Sequence, residues 1–215
     1  MPEGTSFSLL LFLAVIVLGS FALGTHLNVR KGDALLKWMR DGLPRIGEKT
    51  TMRWLGSSVM ELKIAKAHAP FRSTETLAVF EPRDVLIWWA WARWRGRRDL
   101  LIFRAHLHGA PKFELEVFDP KGWTTHRTER DVKKKNWTPL ELGDTSLHAY
   151  HSGASAERVK PLIELAARAG GKLVRLSVHR NVPNLEIHWL MPDVKSANAE
   201  HWFVNLKQLA ESVAP

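Results

Sequence analysis

Histidine is the one abundant residue type in this chain suited to proton transfer or metal binding, with ten copies and no cysteine. His106-x-His108 would place two rings on one face of a strand, which is half of a metal site. His148 and His151 lie three apart beside Tyr150. Neither pair has an aspartate or glutamate at a recognisable metal-ligand spacing, so no metal and no cofactor is expected.

A richer set gathers near the C-terminus. If Val182-Pro183 are the central residues of a tight turn, Asn181 pairs with Asn184, His179 with Glu186 and Val178 with Ile187. One face then carries Leu176, Val178, Leu185, Ile187 and Trp189, and the other Ser177, His179, Glu186 and His188. Two imidazoles and a carboxylate within cross-strand reach could pass a proton or hold a metal. The plainer account is that the apolar face makes the core and the polar face meets water. No catalytic residue is assigned. The chain has no GxxxxGK[ST], strand-linked GxGxxG, HExxH or GxSxG pattern. Without cysteine there are no disulfides, thiolate metal sites or cysteine nucleophiles. Ser155 precedes a helical pattern and suits an N-cap better than a nucleophile.

The other unusual stretch is Val85 to Arg98, VLIWWAWARWRGRR. It holds four of the ten tryptophans of the chain, and Arg93, Arg95, Arg97 and Arg98 close it. It is too short to cross a bilayer. Tryptophan favours the headgroup boundary, and arginine pairs with phosphates while its stem stays in apolar surroundings. One reading is a hairpin or short helix at a membrane interface, with Trp88, Trp89, Trp91, Arg93, Trp94, Arg95, Arg97 and Arg98 as contacts. A second is a core segment with a solvated arginine end. A third is a protein-docking surface, since both residue types are enriched at binding hot spots.

The element that would position these groups is Phe7 to Leu23, FSLLLFLAVIVLGSFAL, inside an uncharged run from Gly4 to Thr25. As a helix that run reaches about 33 Å, enough for a bilayer core. The expectation is one transmembrane helix. No Lys or Arg precedes it, whereas Arg30, Lys31, Lys37 and Arg40 follow, so the positive-inside rule places the N-terminus outside and the remainder in the cytoplasm. A cleaved signal peptide is the alternative, with Ser20-Phe21-Ala22 as the cleavage-like site, but the basic leader is missing. Asp33 to Arg40 has helical spacing in Leu35, Leu36 and Met39. It is either a separate juxtamembrane helix with Trp38 at interface depth, or a continuation of the first helix to Gly42-Leu43-Pro44.

Beyond it, period-two patterns predict strands over Ser57–Ala67, Thr76–Phe80, Leu100–Leu107 and Phe113–Phe118, the last two joined as a hairpin through His108–Lys112. In the final strand Phe113, Leu115 and Val117 face inward, and Glu114 and Glu116 face water. Asp119 to Thr145, with Pro120, Gly122, Pro139, Gly143 and the Lys133-Lys134-Lys135 run, reads as a long loop or linker. A weak strand at Ser146–His151 follows, then a helix over Ala156–Ala169 with a break or a new first turn at Pro161 and a stop at Gly170-Gly171. Strands Leu173–Arg180 and Leu185–Met191 precede a closing helix over Ser196–Val213.

The expected fold class is α+β, a single transmembrane helix followed by an antiparallel meander and a βαββα unit. The segments are 1–25 (anchor), 26–56 (basic juxtamembrane), 57–119 (meander), 120–145 (linker) and 146–215 (βαββα). The charge is lopsided: residues 26–135 hold 23 Lys/Arg against 13 Asp/Glu, while residues 136–215 hold 8 of each. An anionic leaflet beside the first half accounts for this. Nucleic acid is disfavoured because no recognition module accompanies the charge. The functional expectation is a membrane-tethered, non-enzymatic scaffold, accessory or assembly subunit that contacts lipid headgroups and partner proteins. The rivals are a membrane-anchored enzyme using the His/Glu face and a tethered polyanion-binding module.

Overall fold

The computed structural model describes residues 3–125, 127–143, 145–168 and 171–214. Its first element is a single helix, α1, from Glu3 to Met39. Asp33 to Met39 therefore continues the apolar helix rather than forming a separate one. Nothing breaks it before Gly42-Leu43-Pro44, where the chain tightens into one 3₁₀ turn over Leu43–Arg45. α1 is long and apolar enough to cross a membrane.

The rest builds one antiparallel sheet. Its strands are β1 (Thr50–Trp54), β2 (Val59–Ile64), β3 (Phe71–Val79), β4 (Leu100–Leu107), β5 (Glu114–Phe118), β6 (Thr138–Leu140), β7 (His148–Ser152), β8 (Leu173–Val178) and β9 (Leu185–Leu190). Four more helices complete it: α2 (Leu86–Trp94), α3 (Thr128–Lys134), α4 (Ala156–Arg168) and α5 (Ala199–Val213). The nine strands lie in the order β1-β2-β3-β4-β9-β8-β5-β7-β6. The fold is α+β.

Two expectations about pairing change. β4 does not turn back on β5: it pairs with β3 on one side and β9 on the other, while β5 lies between β8 and β7. The expected βαββα segment is thus interrupted in space by a strand from the first half. Phe113, Leu115 and Val117 are all fully buried, so β5 needs a neighbour on each side to pair its backbone within the sheet. The β8–β9 register also differs by two residues from a Val182-Pro183 turn, with Ser177 opposite Glu186 and Val178 opposite Leu185. Asn184 is the cause. Its side chain donates to the carbonyls of His179 (3.3 Å) and Arg180 (3.1 Å) and accepts from the Leu107 N–H (3.0 Å), closing a wider loop. A shift of two preserves the faces.

One face of the sheet carries the core. Leu62, Phe71, Phe103, Leu115, Leu176, Ile187 and Trp189 pack beneath α4, α5 and the end of α1. Trp202 of α5 stands at its centre, edge-on to Phe103, Trp189 and Phe203. α4 runs through Pro161 without the expected break. Pro161 and Glu157, whose carbonyl loses its donor, are both exposed, so water can serve that oxygen. The helix ends at Arg168; of the expected stop at Gly170-Gly171, Gly170 lies outside the described residues. Ser155 precedes α4, its carbonyl accepting from Arg158 and Val159. Asn198 caps α5, accepting from the His201 N–H at 3.1 Å. The Asp119–Thr145 stretch, expected as a long loop or linker, contains α3 and β6, and its described residues bring Trp123 against Leu100, Ile102 and Val174 on the opposite face of the sheet.

Candidate functional site

Two groups of residues stand out, one at an end of the sheet and one across its second face. The first is built on α1. Among the described side chains from Phe7 to Leu23, all but Ser20 are exposed. Burial begins at Gly24 and recurs at Asn28, Gly32, Leu35 and Met39, a single helical stripe. α1 therefore leaves the domain where its uncharged run ends. At that level Gly24 lies against the Arg83 carbonyl, and the chain enters α2 three residues after Arg83.

A buried polar knot fixes this junction. The Asn28 amide donates to the carbonyls of Ser57 (3.1 Å) and Glu81 (3.2 Å) and accepts from Arg83 (2.9 Å). Asp99 accepts from Lys31 (2.6 Å), from two Arg83 nitrogens (3.0 Å each) and from the Glu81 N–H (2.7 Å). Burial pushes Asp99 towards its neutral form, but the Arg83 and Lys31 hydrogen bonds outweigh it and hold its pKa below the usual range. The Glu81 carboxylate, almost fully buried, accepts from the Trp89 indole (2.6 Å) and Arg93 (2.9 Å). The knot thus ties α1 and α2 to the same loop.

α2 itself lies on the surface. Only Ala92 is buried, Ile87 is 85% exposed and Trp94 81%, and Val85, Leu86, Trp88 and Trp91 are also open. Trp88 and Trp91 stack at 4.7 Å. Arg95 lies over Trp91 (5.0 Å) and Arg97 over Trp123 (4.6 Å), while Arg98 donates to the carbonyls of Arg93 and Arg97. The core alternative for this stretch does not describe where these side chains sit. Trp38 is elsewhere: its indole donates to the Ala197 carbonyl (2.7 Å) and its ring meets Trp202. Along α1 it lies about 22 Å beyond Leu23, packed against the domain.

The second group is a ladder of alternating charge across seven adjacent strands. Arg53 pairs with Glu61, Lys63 bridges Glu61 (3.1 Å) and Glu75 (3.2 Å), and Arg104 bridges Glu75 (3.4 Å) and Glu186 (2.8 Å). Arg175 then bridges Glu186 (3.3 Å) and Glu116 (2.8 Å). The structure places His179, Glu186 and His188 on this face and joins His188 to Glu186, but not His179 to either. His188 donates to Glu186 (2.7 Å), with Thr124 on its other nitrogen (3.3 Å); this is the tautomer its partners favour. Burial lowers the pKa of His188. Burial works against the charged Glu186, but the His188 hydrogen bond with Arg104 and Arg175 overcomes it and lowers its pKa to about 2.

His179 belongs to Glu116 instead. Glu116, expected to face water, is 3% exposed and covered by Arg175 and Ser177. The Ser177 hydroxyl donates to Glu116 (2.6 Å), and His179 Nε2 sits 3.0 Å from the same carboxylate oxygen and 2.8 Å from Ser177. In a nucleophilic triad the acid holds the far nitrogen of the imidazole. Here the carboxylate accepts the serine hydroxyl's hydrogen bond directly, and Glu114 is 3.6 Å from Nδ1. The adjoining cavity, lined by His179, Glu116, Arg127, Asp131 and Arg175, measures about 240 Å³, and neither Glu186 nor His188 reaches it. That is below the common range for small-molecule sites. His106 and His108 are exposed, and no three His, Asp or Glu among the described residues are grouped to hold a metal.

No protein-family model matches the chain, and no curated protein is similar to it.

The geometry therefore carries the functional argument. The sequence reading missed the knot formed by Asn28, Glu81, Arg83 and Asp99, whose members are up to 71 positions apart. One signal was present: Asn28, Gly24 and Gly32 share a helical face, where an amide and two glycines fit close backbone packing better than lipid. It also missed Glu116, Arg104 and Arg175 as members of a network, although their alternating signs at strand spacing were visible.

Proposed function

We propose that this protein is a single-pass, membrane-anchored accessory or assembly subunit, with its sheet domain held against the cytoplasmic surface of the bilayer by two elements. α1 crosses the bilayer, and α2 lies in the interface beside the exit point of α1. The observation that carries this is the shared level of three features: the end of the exposed apolar run, the Gly24–Arg83 contact, and the start of the exposed Trp-bearing helix. An apolar surface of this kind on one short helix needs a cover. Trp88, Trp91 and Trp94, with Arg95 and Arg98, have the composition of an interfacial segment over anionic headgroups. The second face of the sheet then looks along the membrane or away from it and serves as the partner surface. The charge ladder there neutralises itself, which suits a structural or docking face better than a reaction centre.

The chain lacks cysteine, so single nitroxide labels can be placed without background. With the full-length protein in phosphatidylglycerol-containing bilayers, labels at Ile87 and Trp94 should collide with oxygen more than with an aqueous nickel complex. A label at the exposed Gln208 should show the reverse. Equal aqueous access at Ile87, Trp94 and Gln208 would remove α2 from the membrane. Reaction of a cysteine at Gln208 with an impermeant reagent on intact cells would reverse the orientation. Stoichiometric membrane partners in mild-detergent purifications support the subunit reading, and isolation of a lone monomer counts against it.

A further inference from the structure

We propose that the groove between α2 and Trp123 binds the phosphate of a glycerophospholipid headgroup, with Arg97 and Arg95 as its ligands. This rests on the reading of α2 as interfacial and gives that surface a specific occupant. The groove, about 450 Å³, is lined by Trp88, Trp91, Ala92, Arg95, Arg97 and Trp123. Two of these residues carry a buried N–H with no acceptor among the described residues, Arg97 Nε and Trp123 Nε1. Buried donors in folded proteins nearly always have a partner, so two in one groove mark a missing acceptor.

The neighbouring cations sharpen the point. Lys31 and Arg83 are satisfied by Asp99, Arg93 by Glu81, and Arg98 by main-chain carbonyls. Among the described residues Arg97 and Arg95 have no carboxylate or carbonyl partner, and each guanidinium lies on a tryptophan ring. Burial lowers the pKa of Arg97, consistent with a cation that lacks a close counter-ion, with the charges of Glu81 and Asp99 only partly offsetting it. A phosphodiester supplies several acceptor oxygens to a stacked guanidinium and an indole N–H together. A lipid fits better than a free anion because Trp88 and Trp91 make apolar walls, and the open Ile87 lies one turn from Trp91 on the same side of the helix, a path for acyl chains.

The indole and arginine Nε–H groups report directly by NMR. With full-length ¹⁵N-labelled protein in maltoside micelles, dihexanoyl phosphatidylglycerol should shift the Trp123 Nε1–H and Arg97 Nε–H signals saturably, assigned through W123F and R97Q. Inorganic phosphate at the same concentration should leave them unmoved, and R97Q should weaken the lipid response of the Trp123 signal by about tenfold or more. Equal shifts with inorganic phosphate would overturn the lipid assignment. No shift of either signal with lipid would overturn the site, even where R97Q proves unstable, since that result needs wild type only. The nitroxide depths at Ile87 and Trp94 are independent of these signals, so loss of the site and loss of the interfacial reading are separable.

Discussion

Gly24 lies so close to the Arg83 carbonyl that a β-carbon on it would stand 2.0 Å from the oxygen. The obstacle is backbone, which cannot swing aside as a side chain can. Gly24→Ala must therefore push α1 away from the 81–84 loop and loosen the Asn28 amide bonds one turn further on. Overpacking of this kind costs about 1–3 kcal/mol. Thermal unfolding of the full chain in detergent should show the drop, with faster proteolysis between α1 and β1. Gly19, with open space around it, is the control, and Gly19→Ala should cause no loss of stability.

Asp99 is the best-connected acid of the junction, and removing its charge leaves Arg83 and Lys31 without their shared carboxylate. Asp99→Asn should cost about 3–5 kcal/mol, the usual range for breaking a buried pair from one side. The exposed Lys133–Glu129 pair on α3 gives the contrast. Glu129→Gln should change stability by less than about 1 kcal/mol. Chemical denaturation of the two variants in parallel checks both figures.

What the sequence showed of all this followed how local each signal is. The apolar run of α1 and the Val159, Leu162, Ile163 and Ala166 stripe of α4 are properties of neighbouring residues, and both are present in the structure. The alternation of Phe113, Leu115 and Val117 likewise marked β5, but alternation names a face and not a neighbour. That β5 sits between β8 and β7 depends on chain closure over more than 30 residues, which no local pattern encodes. The β8–β9 register turned on the side chain of Asn184. Glu116 read as solvent-facing because its own strand has an open polar face; Arg175 and Ser177 from β8, with the 119–137 segment, cover it.

Ser177 invites a test of the enzymatic rival. Its hydroxyl is buried and its proton is committed to Glu116 at 2.6 Å. A fluorophosphonate probe should leave the wild-type protein unlabelled. Ser177→Ala should instead act on stability, by about 1–3 kcal/mol, because the nearly buried Glu116 carboxylate loses a donor. Covalent labelling that disappears in Ser177→Ala would establish a reactive serine and overturn the structural role given to it here.

His188 and Glu186 predict an acid sensitivity in two stages. The folded pKa of His188 lies below its ordinary 6.5, so the unfolded chain takes up this proton first. Its contribution to stability is complete above pH 6.5 and is lost as the pH falls through the folded value. Glu186, lowered from 4.5 to about 2, gives a second loss below pH 4.5, on the order of 3 kcal/mol when complete. Glu61, under the Arg53 and Lys63 side chains, is also lowered to about 2 and adds to that stage. The groups facing His188 constrain the first stage: Glu186 favours its protonation, while Arg104 and Arg175 oppose it. Melting temperatures of the full-length protein from pH 8 to pH 3 should therefore fall gently below about 6.5 and steeply below about 4.5. His188→Gln removes the group assigned to the first stage while retaining an N–H donor for Glu186. Its melting temperature should be lower throughout but flat from pH 8 to about 5, with the steep acid limb intact. An unchanged slope between pH 6.5 and 5 in His188→Gln would assign that sensitivity to another histidine.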